Sequence, residues 1–257
     1  QRLTAILDML SEQGSTTVDE AVTRLGASQA TIRRDLEHLA QQQLLTRTRG
    51  GAVATAVSYD LPLRYKVGRQ APEKERIAQA ITGFIRPGSI VALNGGTTTT
   101  NIARAIATAD GFHDHQGDAG LTVVTNALNI ASELIVRPHI KVVVVGGVVR
   151  NHSYETIGPL AERLLEHISV DLAVLGVDAI GADSGAMAYD EGEAATNALL
   201  ARHADRVLVA ADSSKLGRRA FAHILPAKDI DVLVTDPAAD AAVVDAFRDV
   251  GVEVIQA

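Results

Sequence analysis

Near the start of the chain, apolar residues recur at helical spacing. Leu3, Ile6, Leu7 and Leu10 fall on one face up to Gly14, and Val18, Val22 and Leu25 mark a second stretch that stops at Gly26. A third stretch follows at once. Ser28 stands where an N-cap belongs, and Ile32, Leu36 and Leu39, at i, i+4 and i+7, give this helix a buried stripe. On that helical wheel Arg34 points away from the stripe, with Thr31 and Arg33 on its flanks. The run Leu44 to Val53 (LLTRTRGGAV) then reads as two short strands around a glycine turn. Helix, helix, short turn, helix and wing is the plan of a winged helix-turn-helix, whose last helix enters the major groove while the wing touches the phosphate backbone. The same pattern also fits a small helical cap or dimerisation element whose arginines are merely solvated.

Residues 54 to 72 carry two prolines and no sustained period, so they read as a hinge between a first domain at 1–53 and a second at 73–257. In the second, a helix from Pro72 to about Ile85 leads into alternating elements. Strands are expected at Ser89–Leu93, Thr122–Thr125, Val142–Val145, Leu172–Val177, Arg206–Ala211, Val232–Thr235 and Glu253–Ile255. Helices are expected at Thr99–Ala107, Ala127–Ile135, Gly158–His167, Glu191–His203 and Ala239–Val250. Apolar strands alternating with helices predict an α/β fold with a largely parallel sheet covered by helices, attached to a mainly α winged helix-turn-helix.

Composition narrows the function. The chain has no cysteine, which excludes disulfides, thiol catalysis and cysteine-bound metal sites. No apolar run is long enough for a membrane span, and the opening QRLTAILDML, with Asp8 inside it, reads as an amphipathic helix rather than an export signal. A soluble, cytoplasmic protein is therefore expected. A net charge of −7 argues against a nucleic-acid partner only if the charge is uniform. It is not: residues 1–53 hold six arginines and six acids, so the remainder carries the whole deficit, and Ser28 to Val53 has four arginines against Asp35 and Glu37.

In an open parallel sheet, ligands sit beyond the carboxyl ends of the strands, where helix amino termini attract anions. This chain places small polar residues there: Asn94-Gly95-Gly96-Thr97-Thr98-Thr99-Thr100, then Thr125-Asn126, then Gly146-Gly147 with Arg150. Glycines let the backbone approach a phosphate and hydroxyls can donate to it, but the loop is neither a Walker loop nor a dinucleotide fingerprint, and an ordinary strand-to-helix turn has the same composition. Asp178 ends a later strand, Glu193 opens a helix and Lys215 follows another strand; carboxylates can accept sugar hydroxyls and a lysine can hold phosphate, although acids at a helix start also serve as dipole partners. His113-Asp114-His115 offers two imidazoles without a third placed ligand, so no metal is expected there. His152 is a loop histidine near the Gly146-Gly147 turn.

The stretch ASQATIRRDLEHLAQQQLLTRTRGGAV resembles the signature of the DeoR family of transcription factors, a TIRRDL recognition helix followed by a wing ending in R-x-x-GGA. The resemblance implies that Gln29, Thr31, Arg33 and Arg34 face DNA, with Ser28 at the start of the same helix, and that Arg47 and Arg49 reach phosphates. The ordered blocks GGTTT, VVTNAL, GG-x-x-R, GPLAE, LGVDAI, DEGEA and ADSSK resemble that family's sensor domain, which is similar in fold to ribose-5-phosphate isomerase. They imply a phosphate held at Gly95, Gly96, Thr97, Thr98 and Thr99, and a sugar contacted by Asn126, Arg150, Asp178, Glu193 and Lys215, with Thr125 and Gly147 at the adjoining strand ends. Two departures stand out: Asn94 replaces a common acid, and the connection from Ala109 to Gly120 is longer than usual. The resemblance thus implies a regulator, usually a repressor of sugar or related carbon catabolism genes, with an operator duplex and a phosphorylated sugar as partners. It also implies a dimer or larger homo-oligomer, without cofactor or membrane. The alternative is a sugar-phosphate isomerase carrying an accessory amino-terminal module.

Overall fold

The computed structural model describes residues 2–54, 61–66, 68–112 and 120–257. They form two compact units, Gln1–Arg69 and Gln70–Ala257.

The first unit is built from α1 (Arg2–Gln13), β1 (Ser15–Thr17), α2 (Val18–Leu25), α3 (Gln29–Gln41), β2 (Leu45–Thr48), β3 (Gly51–Ala54) and the single turn α4 (Leu63–Lys66). Local chemistry sets the helix ends. Thr17 and Glu20 form a reciprocal capping box at the start of α2, with Glu20 N donating to Thr17 Oγ1 at 3.2 Å and Thr17 N donating to Glu20 Oε2 at 2.8 Å. Gly26 ends α2 in the left-handed conformation at φ 65°, and Ser28 caps α3 by accepting from Thr31 N. The expected stripe of Ile32, Leu36 and Leu39 is fully buried against Ile6, Leu10 and Ala21. The wing is three-stranded, in the order β1-β3-β2, because Ser15–Thr17 adds an antiparallel strand that the hydrophobic pattern did not announce. Gly51 is needed at that junction, since a Cβ there would come within 2.9 Å of Thr17 Cα. Leu61 and Tyr65, in the segment read as a hinge, are buried in this same core, and Tyr65 Oη donates to Gln42 Oε1 at 2.7 Å.

The second unit opens with α5 (Ala71–Thr82), then β4 (Ile90–Leu93), α6 (Thr97–Thr108), β5 (Leu121–Thr125), α7 (Leu128–Leu134) and β6 (Ile140–Val144). A small hairpin follows, β7 (Val148–Val149) with β8 (Thr156–Ile157), and then α8 (Pro159–Leu165), β9 (Val170–Gly176), β10 (Ala179–Gly181), β11 (Gly185–Ala188) and α9 (Glu191–Arg202). The chain finishes with β12 (Ala204–Ala210), β13 (Ala222–Leu225), β14 (Val232–Thr235), α10 (Ala241–Asp249) and β15 (Glu253–Gln256). Seven strands form one parallel sheet in the order β15-β14-β12-β9-β4-β5-β6; β10, β11 and β13 form a separate antiparallel sheet.

Both faces of the large sheet are buried. Successive residues of β9 alternate between them: Leu172 and Val174 pack with Ile77, Ile81, Ile102 and Ile106, whereas Ala173 and Leu175 pack with Leu165, Leu200 and Phe247. Burying each large side chain of this kind stabilises the fold by about 1.5–3 kcal/mol. The strand order reverses between β4 and β9. From β4 the chain builds outward to β5 and β6, and from β9 it builds the opposite way to β12, β14 and β15, which opens a crevice at the carboxyl ends of β4 and β9.

Asn94 closes the floor of that crevice. Its Nδ2 donates to Gly176 O at 2.8 Å and its Oδ1 accepts from Gly176 N at 2.8 Å, so one carboxamide continues the β4 to β9 ladder past the last strand residue. Asn94 is 1% exposed and Gly176 half-buried, so both bonds are largely withdrawn from water. An alanine leaves two half-buried backbone groups of Gly176 without these partners, whereas an aspartate keeps the acceptor half. We expect Asn94→Ala to cost about 2 kcal/mol or more and Asn94→Asp distinctly less, as measured by urea unfolding of the full chain.

Candidate functional sites

In the first unit the residues expected to meet DNA divide into two groups. Gln29, Arg33, Arg34 and Arg49 are exposed. Ser28 and Thr31 are engaged in the cap of α3, their hydroxyls 2.9 Å apart, and Arg47 is half-buried because its Nη1 donates to Gly51 O at 3.1 Å across the wing. Gln29 Nε2 donates to Asp19 Oδ1 at 2.8 Å, which braces α3 against the start of α2. The acids of α3 are also placed: Asp35 is paired with Arg2, and Glu37 Oε2 lies 3.9 Å from Arg47 Nε. Arg33 and Arg34 therefore project from a helix whose own carboxylates face other arginines. That local excess of positive charge suits a polyanion despite the acidic chain.

In the second unit, the expected effector residues collect around the crevice. Gly95 and Gly96 leave β4, Gly96 adopts φ 133°, and α6 starts at Thr97, so its first amide groups lie beside the crevice floor. Thr99 and Thr100 turn their hydroxyls back to Gly96 O at 3.2 and 2.6 Å, which stiffens the loop. Thr97 is half-buried and Thr98 is buried. From the end of β5, Thr125 Oγ1 accepts from Ala127 N, and the fully buried Asn126 donates from Nδ2 to Glu155 Oε2 at 3.0 Å while its Oδ1 has no hydrogen-bond partner. A buried amide oxygen with nothing to accept is a cost that an incoming hydroxyl or ammonium can remove.

Arg150, between β7 and β8, is held by two carboxylates: Nε donates to Asp190 Oδ2 at 2.9 Å and Nη1 to Glu193 Oε1 at 2.8 Å. Asp190 is doubly engaged, since it also caps α9 by accepting from Gly192 N and Glu193 N. Gly147, at φ 153°, lets the β7–β8 hairpin close on Ile157. Asp178 accepts from Tyr189 N at 3.1 Å and faces Lys215 Nζ at 4.0 Å; Lys215 is positioned by a turn that Asp212 caps.

Two residues of this constellation were not read as site residues from sequence, Asp190 and Glu155. Glu155 is 3% exposed, and a Cβ on Gly95 would come within 2.7 Å of its Cδ, so the first glycine of the loop makes room for a carboxyl. Burial, and then the Glu193 carboxylate, push Glu155 up to about 8; the hydrogen bond from Asn126 opposes this, Asp178 adds to it and Arg150 opposes it. At neutral pH the Glu155 carboxyl therefore carries its proton.

Among the described residues no group of three metal-ligating side chains occurs, and His113-Asp114-His115 lies outside the described residues. His152 is half-buried. No described helix is long and apolar enough to cross a membrane. A cavity of about 430 Å³ lined by Phe84, Arg86, Ser89, Asp171 and Arg206 opens at the amino ends of the strands and contains none of the expected residues. Chemistry and strand polarity both favour the crevice at the other end.

Removing Arg150 strands two carboxylates in a half-buried setting. We expect Arg150→Ala to cost about 3 kcal/mol in the unfolding of the second unit, and Arg150→Lys, which keeps the charge but not the forked geometry, to recover only part of it. Thermal unfolding of the three proteins checks the order.

Comparison with known proteins agrees with both units. Residues 2–56 match the DeoR-like helix-turn-helix domain and residues 69–237 match the DeoR C terminal sensor domain. The chain is 32% identical over 250 residues to the HTH-type transcriptional repressor CsqR of Escherichia coli (strain K12), covering 97% of this chain and 92% of that one. It is 29% identical over 249 residues to the glycerol-3-phosphate regulon repressor of the same strain, covering 97% and 95%. Among solved structures it is similar to ribose 5 phosphate isomerase A from Neisseria gonorrhoeae, with a TM-score of 0.40 and 15% identity over 55% of this chain and 52% of that one. With both units matched and curated relatives aligned nearly end to end, the chain belongs to the DeoR family of transcriptional regulators and is a DNA-binding regulator rather than an isomerase.

Proposed function

We propose that this regulator represses genes of sugar or related carbon catabolism, and that a phosphorylated sugar bound in the crevice of the second unit controls its grip on an operator duplex. It acts in the cytoplasm as a homo-oligomer on repeated half-sites. The observation that carries the DNA half of this reading is the pair Arg33 and Arg34, exposed on α3 outside its buried stripe while the acids of that helix face other arginines. Guanidinium groups so placed can take guanine edges or phosphates in a forked manner, with Gln29 and Thr31 beside them. Arg49, at the tip of the wing, reaches phosphate; Arg47 holds the wing in shape and Ser28 holds the helix start.

The effector half rests on the convergence at the switch point. Loop 95–99 and the start of α6 offer backbone amides to a phosphate, with Gly95 and Gly96 allowing close approach. Asn126, Asp178, Glu193 and Lys215 surround the space where sugar hydroxyls would lie, with Thr125, Gly147 and Arg150 shaping its walls. The glycerol-3-phosphate regulon repressor among the relatives fits a phosphorylated polyol or sugar as the class of ligand. Such a ligand changes DNA affinity only to the extent that it binds the two states of the protein differently.

The test separates the two units. Duplexes are selected from a random library by the wild-type protein, and binding is measured as a function of salt. Arg33→Ala and Arg34→Ala are each expected to weaken binding at least tenfold, and together to abolish it, with a shallower salt dependence. The thermal stabilisation by a panel of sugar phosphates is expected to remain at its wild-type size in both variants. Joint loss of DNA binding and sugar-phosphate stabilisation contradicts the division of labour.

A further inference from the structure

Glu155 is an acid in a place meant for an anion. It reaches the glycine-threonine loop from the β7–β8 hairpin, stands against Gly95, and is almost wholly buried, with Asn126 as its hydrogen-bond donor. The positive side chain nearest in sequence, Arg150, donates hydrogen bonds to Asp190 and Glu193. We propose that Glu155 is a specificity-determining residue of the effector site, closing the glycine-threonine loop so that the site admits an anionic group only while the Glu155 carboxyl carries its proton. The proposal rests on the effector-site reading given above.

The carboxyl stands against Gly95 of the loop that would hold the phosphate, so close that a Cβ on Gly95 would come within 2.7 Å of its Cδ. Like charges brought together in a buried setting repel strongly, whereas a neutral carboxyl can donate its proton to a phosphate oxygen. The charged groups that face Glu155 from the neighbouring elements are Glu193 from α9, Asp178 from the loop after β9 and Arg150 from its own hairpin; Asn126, from the end of β5, is neutral. Two of the three charges are negative, so the surroundings hold the proton on. Burial does the same, and ionisation falls near pH 8.

The linkage has a definite sign. An anion that binds only the protonated form is held at full strength below pH 8 and is released as the pH rises beyond it, and its binding in turn drives proton uptake. The expected selectivity is equally concrete: at neutral pH a phosphorylated polyol is accepted, and once Glu155 ionises the same pocket disfavours it.

Inorganic sulfate is the suitable probe because it remains a dianion throughout the range, so any change in its binding reports the protein. Sulfate affinity of the full chain is measured by calorimetry at constant ionic strength between pH 7 and pH 9.5, for wild type and for Glu155→Gln. An apparent ionisation near 8 implies that the wild-type affinity falls about thirtyfold over that range, while the glutamine variant, which cannot ionise, stays level. A wild-type affinity that does not change overturns the proposal. A parallel fall in both proteins also overturns it, by placing the pH dependence on a group other than Glu155. Failure of both proteins to bind sulfate at any pH is a different result, because it removes the effector-site reading and this proposal with it. Circular dichroism at each pH establishes that both proteins remain folded.

Discussion

A parallel sheet buried on both faces has nowhere to put polar side chains except at its strand ends. In this chain that constraint is strict: β9 and β12 alternate their apolar residues between two separate cores, and the seven strands have no water-facing side along their centre. Every polar or charged group that the second unit needs for chemistry is thereby driven to the rim, and the reversal of strand order between β4 and β9 opens the rim at one point. Asn94 and Gly176 meet there through two hydrogen bonds, which fixes the floor against which loop 95–99 is laid. The carboxylates, the arginine and the lysine of the surrounding loops then hold one another in position, as Arg150 does with Asp190 and Glu193.

The first unit follows a different logic, in which a small core leaves the outer surface of α3 free. Among the described residues fourteen buried side chains make up its apolar cluster, enough to fix three helices and a wing when the helix ends are capped by side chains. Capping does more here than add stability. By consuming Ser28, Thr31 and Gln29 in local bonds it determines how far α3 extends and which face it presents, and pairing of Asp35 with Arg2 keeps a negative charge off that face. Arg33 and Arg34 are what the arrangement leaves outward.

Much of this was legible in the sequence because the decisive signals are local. The stripe of Ile32, Leu36 and Leu39, the cap at Ser28 and the stop at Gly26 each depend on residues within a turn or two, and the β-branched runs gave all seven strands of the large sheet. Strands made of small residues were missed, such as Ala179–Gly181 and Gly185–Ala188, since alanine and glycine carry no strand signature; so were the two-residue β7 and β8. Arg47 lies where spacing puts a phosphate contact, yet it bonds back to Gly51 across the wing, a partnership visible only once the strands pair. Leu61, Leu63 and Tyr65 did carry an alternating apolar signal inside the supposed hinge, and they are buried. Glu155 reads as a loop residue in a polar stretch because its burial is created by Gly95, at the end of a strand far away in sequence. The one available clue was a glycine pair where the turn itself needs only Gly96.

The central claim is that an anionic metabolite binds at the carboxyl ends of β4 and β9. Amide hydrogen exchange of the full chain, with and without the sugar phosphate that stabilises it most, measures this residue by residue. Slowed exchange is expected at Gly95 to Thr99 and in the segments around Asn126, Glu155 and Lys215. Slowed exchange confined to the cavity at the opposite strand ends, around Arg86, Ser89 and Arg206, would contradict it.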